Sequence, residues 1–488
     1  MRRNTNVALA SLGLLLGLAG CNGFLTGDKL SQDPNAPSSA SISQLFVAVQ
    51  SGQMAFQEGT VPMLTCMWVQ ACGATNGRFV EQAGRYVFGE ASNIAANVTD
   101  WATEYAGGGL VDIRQVEADA RGTGDTTWLA IAKVWEALTI GTTSDQWGNV
   151  PYRFVVDSAA PPLDNRFAVL DSVQKLLDQA IAELTNGAGA GPGAVDLIYG
   201  GNRANWIKAA WTLKARFYMH TAESLGVPAY TSAIAAAANG ISDGTGGSDL
   251  RAFHSAAGAG ERNMWGAFQS SSSFGQDLVP GKYLVDRMNS RSDPRLPFYF
   301  CKTAANTYVG QDFNTPVANT STFACKPPRF ADTYRMPYAS YAENELILAE
   351  AYRATGNDAV ALTHLNNERA YANATYPPTA GPPATAALPV LVGITTATGL
   401  LDSIMVEKYV AMFQNIETIN DYRRTCIPRV AVVTNTAGFS NVPGRLYYPR
   451  SERNANSHVP DPSTQLGAAG HYFRNPGDVA ACTVQNAP

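Results

Sequence analysis

An all-α fold is predicted for this chain: tetratricopeptide-like helical hairpins form the scaffold, and long irregular inserts gather on one face. Three observations predict it. Apolar residues recur at three- and four-residue spacing through much of the sequence. The clearest two such segments are separated by little more than Gly356-Asn357, a pair suited to ending one helix and starting another. Between the helical segments lie stretches rich in Gly, Ser, Asn and Pro that nevertheless carry many aromatic rings.

Helices are expected over about 41 to 57, 94 to 121, 126 to 141, 167 to 185, 203 to 224, 229 to 239, 340 to 355, 358 to 373 and 399 to 414. In "AENELILAEAYRATGNDAVALTHLNNERAYA" two apolar stripes stand out, Leu346, Ala349 and Tyr352, then Ala359, Leu362, Leu365 and Ala370. Small Ala residues let the two helices approach closely. Such a hairpin cannot bury its face alone and requires neighbours. Polar inserts interrupt the hairpins, so the array is expected to be discontinuous. The stretch "TTSDQWGNVPY" follows the helix from Thr126 to about Ile140, which Gly141 is expected to end. Asp145 and Gly148-Asn149 offer turn chemistry, Pro151 forbids helix continuation, and Trp147 and Tyr152 should bury their rings between hairpins.

The inserts span about 59 to 93, 243 to 335, 374 to 398 and 428 to 488 within a helical domain of residues 41 to 488. Loops of that length are uncommon in compact domains unless they serve a function. Charged residues make up only 15% of the chain, below the usual roughly 25%, and the formal net charge is −5. Without Lys/Arg runs, nothing here would attract nucleic acid.

The N-terminus reads as an export signal over residues 1 to 20. "MRRNTN" is cationic, and Val7 to Gly20 is apolar but too short for the roughly 20 residues that span a bilayer. It ends in "LAGC", Leu18 to Cys21, which looks like a bacterial lipobox whose Cys21 thiol receives diacylglycerol. Residues 21 to 40 are polar, with Gly, Pro and Ser, and read as a lipid-anchored flexible tether.

Six further cysteines suit an exported chain: Cys66 and Cys72, Cys301 and Cys325, Cys426 and Cys482. They allow 15 pairings, of which the sequential one is a hypothesis. No metal site is expected, because no cysteines lie at C-x-x-C spacing and the five histidines are scattered.

Enzyme motifs fail on context. "GISDG" (Gly240 to Gly244) fits G-x-S-x-G but follows an Ala-rich helix rather than a strand. "GAGPGA" (Gly189 to Ala194) also follows a helix and holds Pro192, so no helix start is available for phosphate. Glu343 and Glu345 are the nearest candidates for a glycosidase pair, and an ion-paired helix start is the preferred reading of them.

"DQWGNVPY", "NRANWIKAAWTLKARFYMH", "AENELILAEAYRATGN", "VEKYVAMFQNIETINDYRRT" and "RLYYPRSERNANSHVP" occur in that order. Together they resemble the SusD/RagB family of outer-membrane nutrient-binding lipoproteins, from the lipobox to about residue 474. The resemblance implies a tetratricopeptide-like scaffold whose loops form the binding face, no catalysis and no cofactor. It implies a lipid-anchored, surface-exposed protein of the outer membrane that captures oligosaccharide or another bulky nutrient and delivers it to a SusC-like TonB-dependent transporter. The alternative is a structural or adhesive helical-repeat lipoprotein that holds a protein or cell-wall polymer.

Sugar rings pack apolar C–H faces on aromatic side chains, while their hydroxyls need polar partners. The loop-borne ring candidates are Trp68, Phe79, Tyr86, Trp101, Trp265, Phe268 and Phe274, with Asn76, Arg78, Asn263 and Gln269 as polar partners. For Arg423, Arg424, Arg445, Arg450 and Arg453, the preferred role is to hold the C-terminal segment onto the helices.

Overall fold

Small residues at helix contacts determine how closely the scaffold stacks, and Gly141 shows this best. A Cβ there would lie 2.4 Å from the Phe217 ring. The glycine is therefore a point of close approach inside a helix and does not end it. That helix runs Thr126–Trp147, and Gly148, at φ 90°, terminates it instead. The expected end at Gly141 is thus corrected: most of "TTSDQWGNVPY" is helical, and turn formation waits for Gly148-Asn149.

The structure is a computed structural model and describes residues 40–87, 98–271, 275, 277–394, 396–431, 433–434, 442–462 and 482. The signal segment, Cys21, nearly all of the tether, and Phe274 lie outside the described residues. Among the described residues the protein is mostly helical, with strands of two or three residues only. Among the described residues no helix is long and apolar enough to cross a membrane.

The helices pack in a row. Ile42–Glu58 lies against Leu110–Thr123, which lies against Thr126–Trp147, followed by Arg166–Asn186, Arg203–Met219 and Val227–Ala237. Val227–Ala237 then packs directly on Tyr341–Ala354, although the insert of 243 to 335 separates them in sequence. Ala233, Ala236 and Ala237 meet Ala215, Met219, Ile347, Leu348 and Ala351 there, small residues on Val227–Ala237 receiving larger ones from its neighbours. The array is therefore continuous in space, against the expectation from the sequence; the insert leaves the row and returns to it. Tyr341–Ala354 and Asp358–Thr375 form the expected hairpin, with Gly356 at φ 83° between them. Leu346, Ala349, Ala361 and Leu365 close on Leu400, Ile404 and Met405 of Ala397–Ala411. Ala359 and Ala370 face solvent, so the second stripe is rotated from the one read in sequence.

Boundaries differ elsewhere for local reasons. The segment of 94 to 121 is broken by Gly107 and Gly108, both at positive φ, so helix resumes at Leu110. The helix expected from 203 to 224 stops at Met219, and a further helix, Glu417–Thr425, follows Ala397–Ala411. The inserts are not wholly irregular. They contain the helices Thr60–Trp68, Met264–Gln269, Lys282–Asn289 and Arg450–Ala455. Three disulfides brace them, Cys66–Cys72, Cys301–Cys325 and Cys426–Cys482.

Many of the few charges are buried in matched sets, which leaves the surface still less charged than the composition suggests. Asp145 accepts from Arg166 at 2.9 Å and pairs with His220 Nδ1 at 2.6 Å, while His220 Nε2 meets Glu417 at 2.7 Å. Arg216 then joins Glu343 at 2.6 Å. A second set gathers Arg291, Arg295 and Arg369 around Glu407. Such sets fix which helix faces which, because a mispaired helix would strand a buried charge.

Candidate functional site

The candidate site is a cleft where three inserts meet, and its construction begins at Cys66–Cys72. That disulfide folds the chain back after the helix Thr60–Trp68. Strand Cys72–Ala74 then pairs antiparallel with Leu278–Pro280 of the second insert. Gly281 comes next, its N–H donating to Ala71 O at 3.0 Å. A Cβ on Gly281 would lie 2.3 Å from Gln70 O, so only glycine permits this approach.

Gly281 leads into Lys282–Asn289, whose apolar side buries Leu284, Val285 and Met288. Its other side brings Lys282, Tyr283, Asp286 and Arg287 to the cleft. The opposite wall is Gln311 to Asn314, tied to the helix by Lys282 N–H donating to Gln311 O at 2.9 Å. Gln311 Oε1 accepts from the N–H groups of Asp312 at 3.1 Å and Val317 at 2.7 Å, which fixes the loop. The third wall is Ala431 and Val433. Gln70 Nε2 donates to Ala431 O at 2.7 Å, and Thr434 N–H donates to Asn314 Oδ1 at 2.7 Å. The enclosed volume is about 310 Å³.

The cleft's chemistry is mixed. Lys282 and Asp286 form an exposed ion pair at its edge. Tyr283 and Phe313 border the cleft, although both rings are largely buried, at 9% and 4% exposed, and Tyr283 packs edge-on to Tyr409 at 5.9 Å between ring centroids. Asp312 Oδ1 accepts from Asn314 N–H at 2.7 Å and Thr315 N–H at 3.2 Å. Ring edges at the wall with a few positioned carboxylates and donors suit a hydroxyl-rich ligand.

The residues read from sequence as ligand contacts are placed otherwise. Trp68 and Trp265 are fully buried, Tyr86 is 1% exposed and Trp101 5% exposed, so their rings fill the core, and none of them borders the cleft. Trp265 sits against Phe330 and Phe413. Tyr86 OH donates to Trp68 O at 3.2 Å, and Trp101 packs edge-on to Trp147 at 5.3 Å. Asn263 is the buried cap of Met264–Gln269 and donates to Glu58, while Gln269 Nε2 donates to Leu278 O. Phe79 and Phe268 are partly buried and meet edge to face at 6.4 Å. Asn76 is exposed, and Arg78 lies in the short helix Gly77–Phe79. The physical reason is that short helices within the inserts need their own core, and aromatic rings supply it beside Gly and Ser as readily as elsewhere. Arg78 aside, none of these residues lines the cleft.

The signal missed in sequence is "KYLVDRMN". Its Leu284, Val285 and Met288 follow helical spacing and would have placed Lys282, Asp286 and Arg287 on a presented face, with Tyr283 at the buried margin. The arginine reading fares differently. Arg423 Nη1 donates to Asp145 O at 2.7 Å and Gly444 O at 2.6 Å, and Arg445 Nη1 donates to Trp147 O at 3.0 Å. These contacts hold the 444 to 448 segment on the scaffold. Trp147 Nε1 likewise donates to Tyr447 O at 3.0 Å. Glu343 is buried against Arg216, and Glu345 accepts from His364 and Asn367, so both carboxylates are engaged within the scaffold. Burial pushes the Glu343 carboxyl up, although Arg216 opposes that shift.

Comparison with solved structures shows the same fold in proteins of low identity. A SusD-like protein from Bacteroides thetaiotaomicron superposes with a TM-score of 0.70 at 21% identity, covering 89% of this chain and 97% of its own. A chitin-binding SusD homologue from Flavobacterium johnsoniae gives 0.70 at 19% identity, with 90% and 99% covered. A SusD homologue from Bacteroides uniformis gives 0.68 at 16% identity, with 89% and 99% covered. No curated protein matches the sequence. Residues 34–449 match the SusD-like family described as starch-binding and associating with the outer membrane. With most of its length matched in sequence and its whole helical row matched in space, the chain belongs to the SusD-like family.

Proposed function

We propose that this protein is a surface lipoprotein, anchored through Cys21 in the outer membrane, that binds oligosaccharide or another bulky nutrient. It passes that cargo unaltered to a SusC-like TonB-dependent transporter. The observation that carries the reading is the cleft: three inserts far apart in sequence converge to line it with Tyr283, Phe313 and positioned polar groups. A scaffold that only connected other parts would not need loops braced by a disulfide, a strand pair and reciprocal amide bonds around an open hollow. The family description and the chitin-binding homologue support glycan as the cargo class.

Isothermal titration with malto-, chito- and xylo-oligosaccharides tests the binding half. Tyr283→Ala is expected to weaken the best ligand by about 1 kcal/mol or more, near tenfold, because it removes the ring at the cleft wall. Unchanged affinity in the folded variant would remove the cleft from consideration. Gentle solubilisation of outer membranes tests the transport half: recovery of a large TonB-dependent barrel with the protein is expected. Recovery of a cell-wall polymer or another protein without the barrel favours the adhesive reading instead.

A further inference from the structure

The charges around the cleft are not equivalent. Lys282 and Asp286 neutralise one another across one helical turn. Asp312 is the hub of its own loop, accepting two backbone N–H groups. Arg287 is different. Its guanidinium makes one hydrogen bond, Nη2 donating to Tyr283 OH at 3.3 Å, and lies 5.5 Å over the Tyr283 ring. Among the described residues no carboxylate stands within ion-pair reach of it, whereas Arg216, Arg295 and Arg424 each meet one. It is partly exposed, in the wall of the cleft, with several N–H donors that meet no acceptor among the described residues.

An arginine held over an aromatic ring is pre-organised and weakly hydrated, and its planar fork matches a carboxylate with two parallel hydrogen bonds. The Tyr283 ring beneath it fixes one face of the guanidinium, leaving its edge for a ligand. A neutral sugar would satisfy such a group with hydroxyls but would leave its charge uncompensated in a partly desolvated hollow.

We propose that the cleft takes an acidic oligosaccharide, one whose sugars bear carboxylates, and that Arg287 is the residue that reads the charge. This rests on the cleft being the glycan site. The aromatic surface and Asp312 engage ring faces and hydroxyls, as in any glycan site, and Arg287 adds the selection for an anion.

The test compares oligouronates with their own methyl esters, which keep the sugar and remove the charge. Tetragalacturonate and tetramannuronate, each with its ester, are titrated into wild type, Tyr283→Ala and Arg287→Gln. At least one acid is expected to bind wild type tenfold or more tightly than its ester, and that preference should shrink in 0.5 M NaCl, as a charge contact must. In Arg287→Gln the preference falls to about one. The inference is overturned if no acid outbinds its ester in wild type, or if Arg287→Gln keeps the preference. Failure of the underlying reading looks different: glycan binding would then be indifferent to Tyr283→Ala in acid and ester alike.

Discussion

Replacing Asp145 with alanine is expected to cost about 3–5 kcal/mol of folding stability, the range for removing one partner of a buried ion pair. Asp145 is fully buried on the last turns of Thr126–Trp147. Burial alone would raise its pKa, but His220, Arg166 and Arg423 hold it below the usual carboxylate range. Without it, Arg166 on the next helix loses the Asp145 carboxylate, and His220 loses its Nδ1 partner and retains Glu417. The loss would be read from urea unfolding followed by far-ultraviolet circular dichroism. A cost under about 1 kcal/mol would mean that the buried set contributes little to registering these helices.

His220 should make stability depend on pH. Burial lowers its pKa, but Asp145 and Glu417 outweigh burial and raise it to about 9, against 6.5 for a free imidazole. A folded value above the unfolded one means the contribution is complete below pH 6.5, fades as pH rises, and is gone above pH 9. The interval corresponds to about 3 kcal/mol. Buried carboxylates act with the same sign at lower pH. Burial raises Asp100 to about 7, and burial with a neighbouring carboxylate raises Glu117 and Glu368 to about 8, so their effect is also lost as pH rises. The variant His220→Gln separates the two contributions. Between pH 6.5 and 9 wild type should lose about 3 kcal/mol more than the variant, and parallel curves would exclude a charged His220 in the folded protein.

The helical row was legible in sequence because each hairpin helix must bury a stripe, and burial imposes a period. What the sequence left open was chosen by contacts distant along the chain. Gly141 reads as a stop in isolation, yet the Phe217 ring from another helix makes glycine necessary mid-helix. Val227–Ala237 and Tyr341–Ala354 show no sign in sequence that they are neighbours, because alanines meeting Ile347 and Leu348 are a pairing that many helices could make. The site was harder still. Tryptophans such as Trp265 stood out among Gly and Ser, but large rings are conspicuous wherever a core needs volume. The cleft residues are ordinary in type, and it is Gly281, the strand pair at Cys72–Ala74 and the amide bridge from Gln70 that bring them together.

The most direct measurement is a crystal structure of the protein with the tightest oligosaccharide found by titration. Ligand density is expected between the Lys282–Asn289 helix, the Gln311 to Asn314 loop and Ala431, with a sugar ring against Tyr283 or Phe313. A well-ordered ligand bound elsewhere, with that hollow left empty, would contradict the assignment of the cleft.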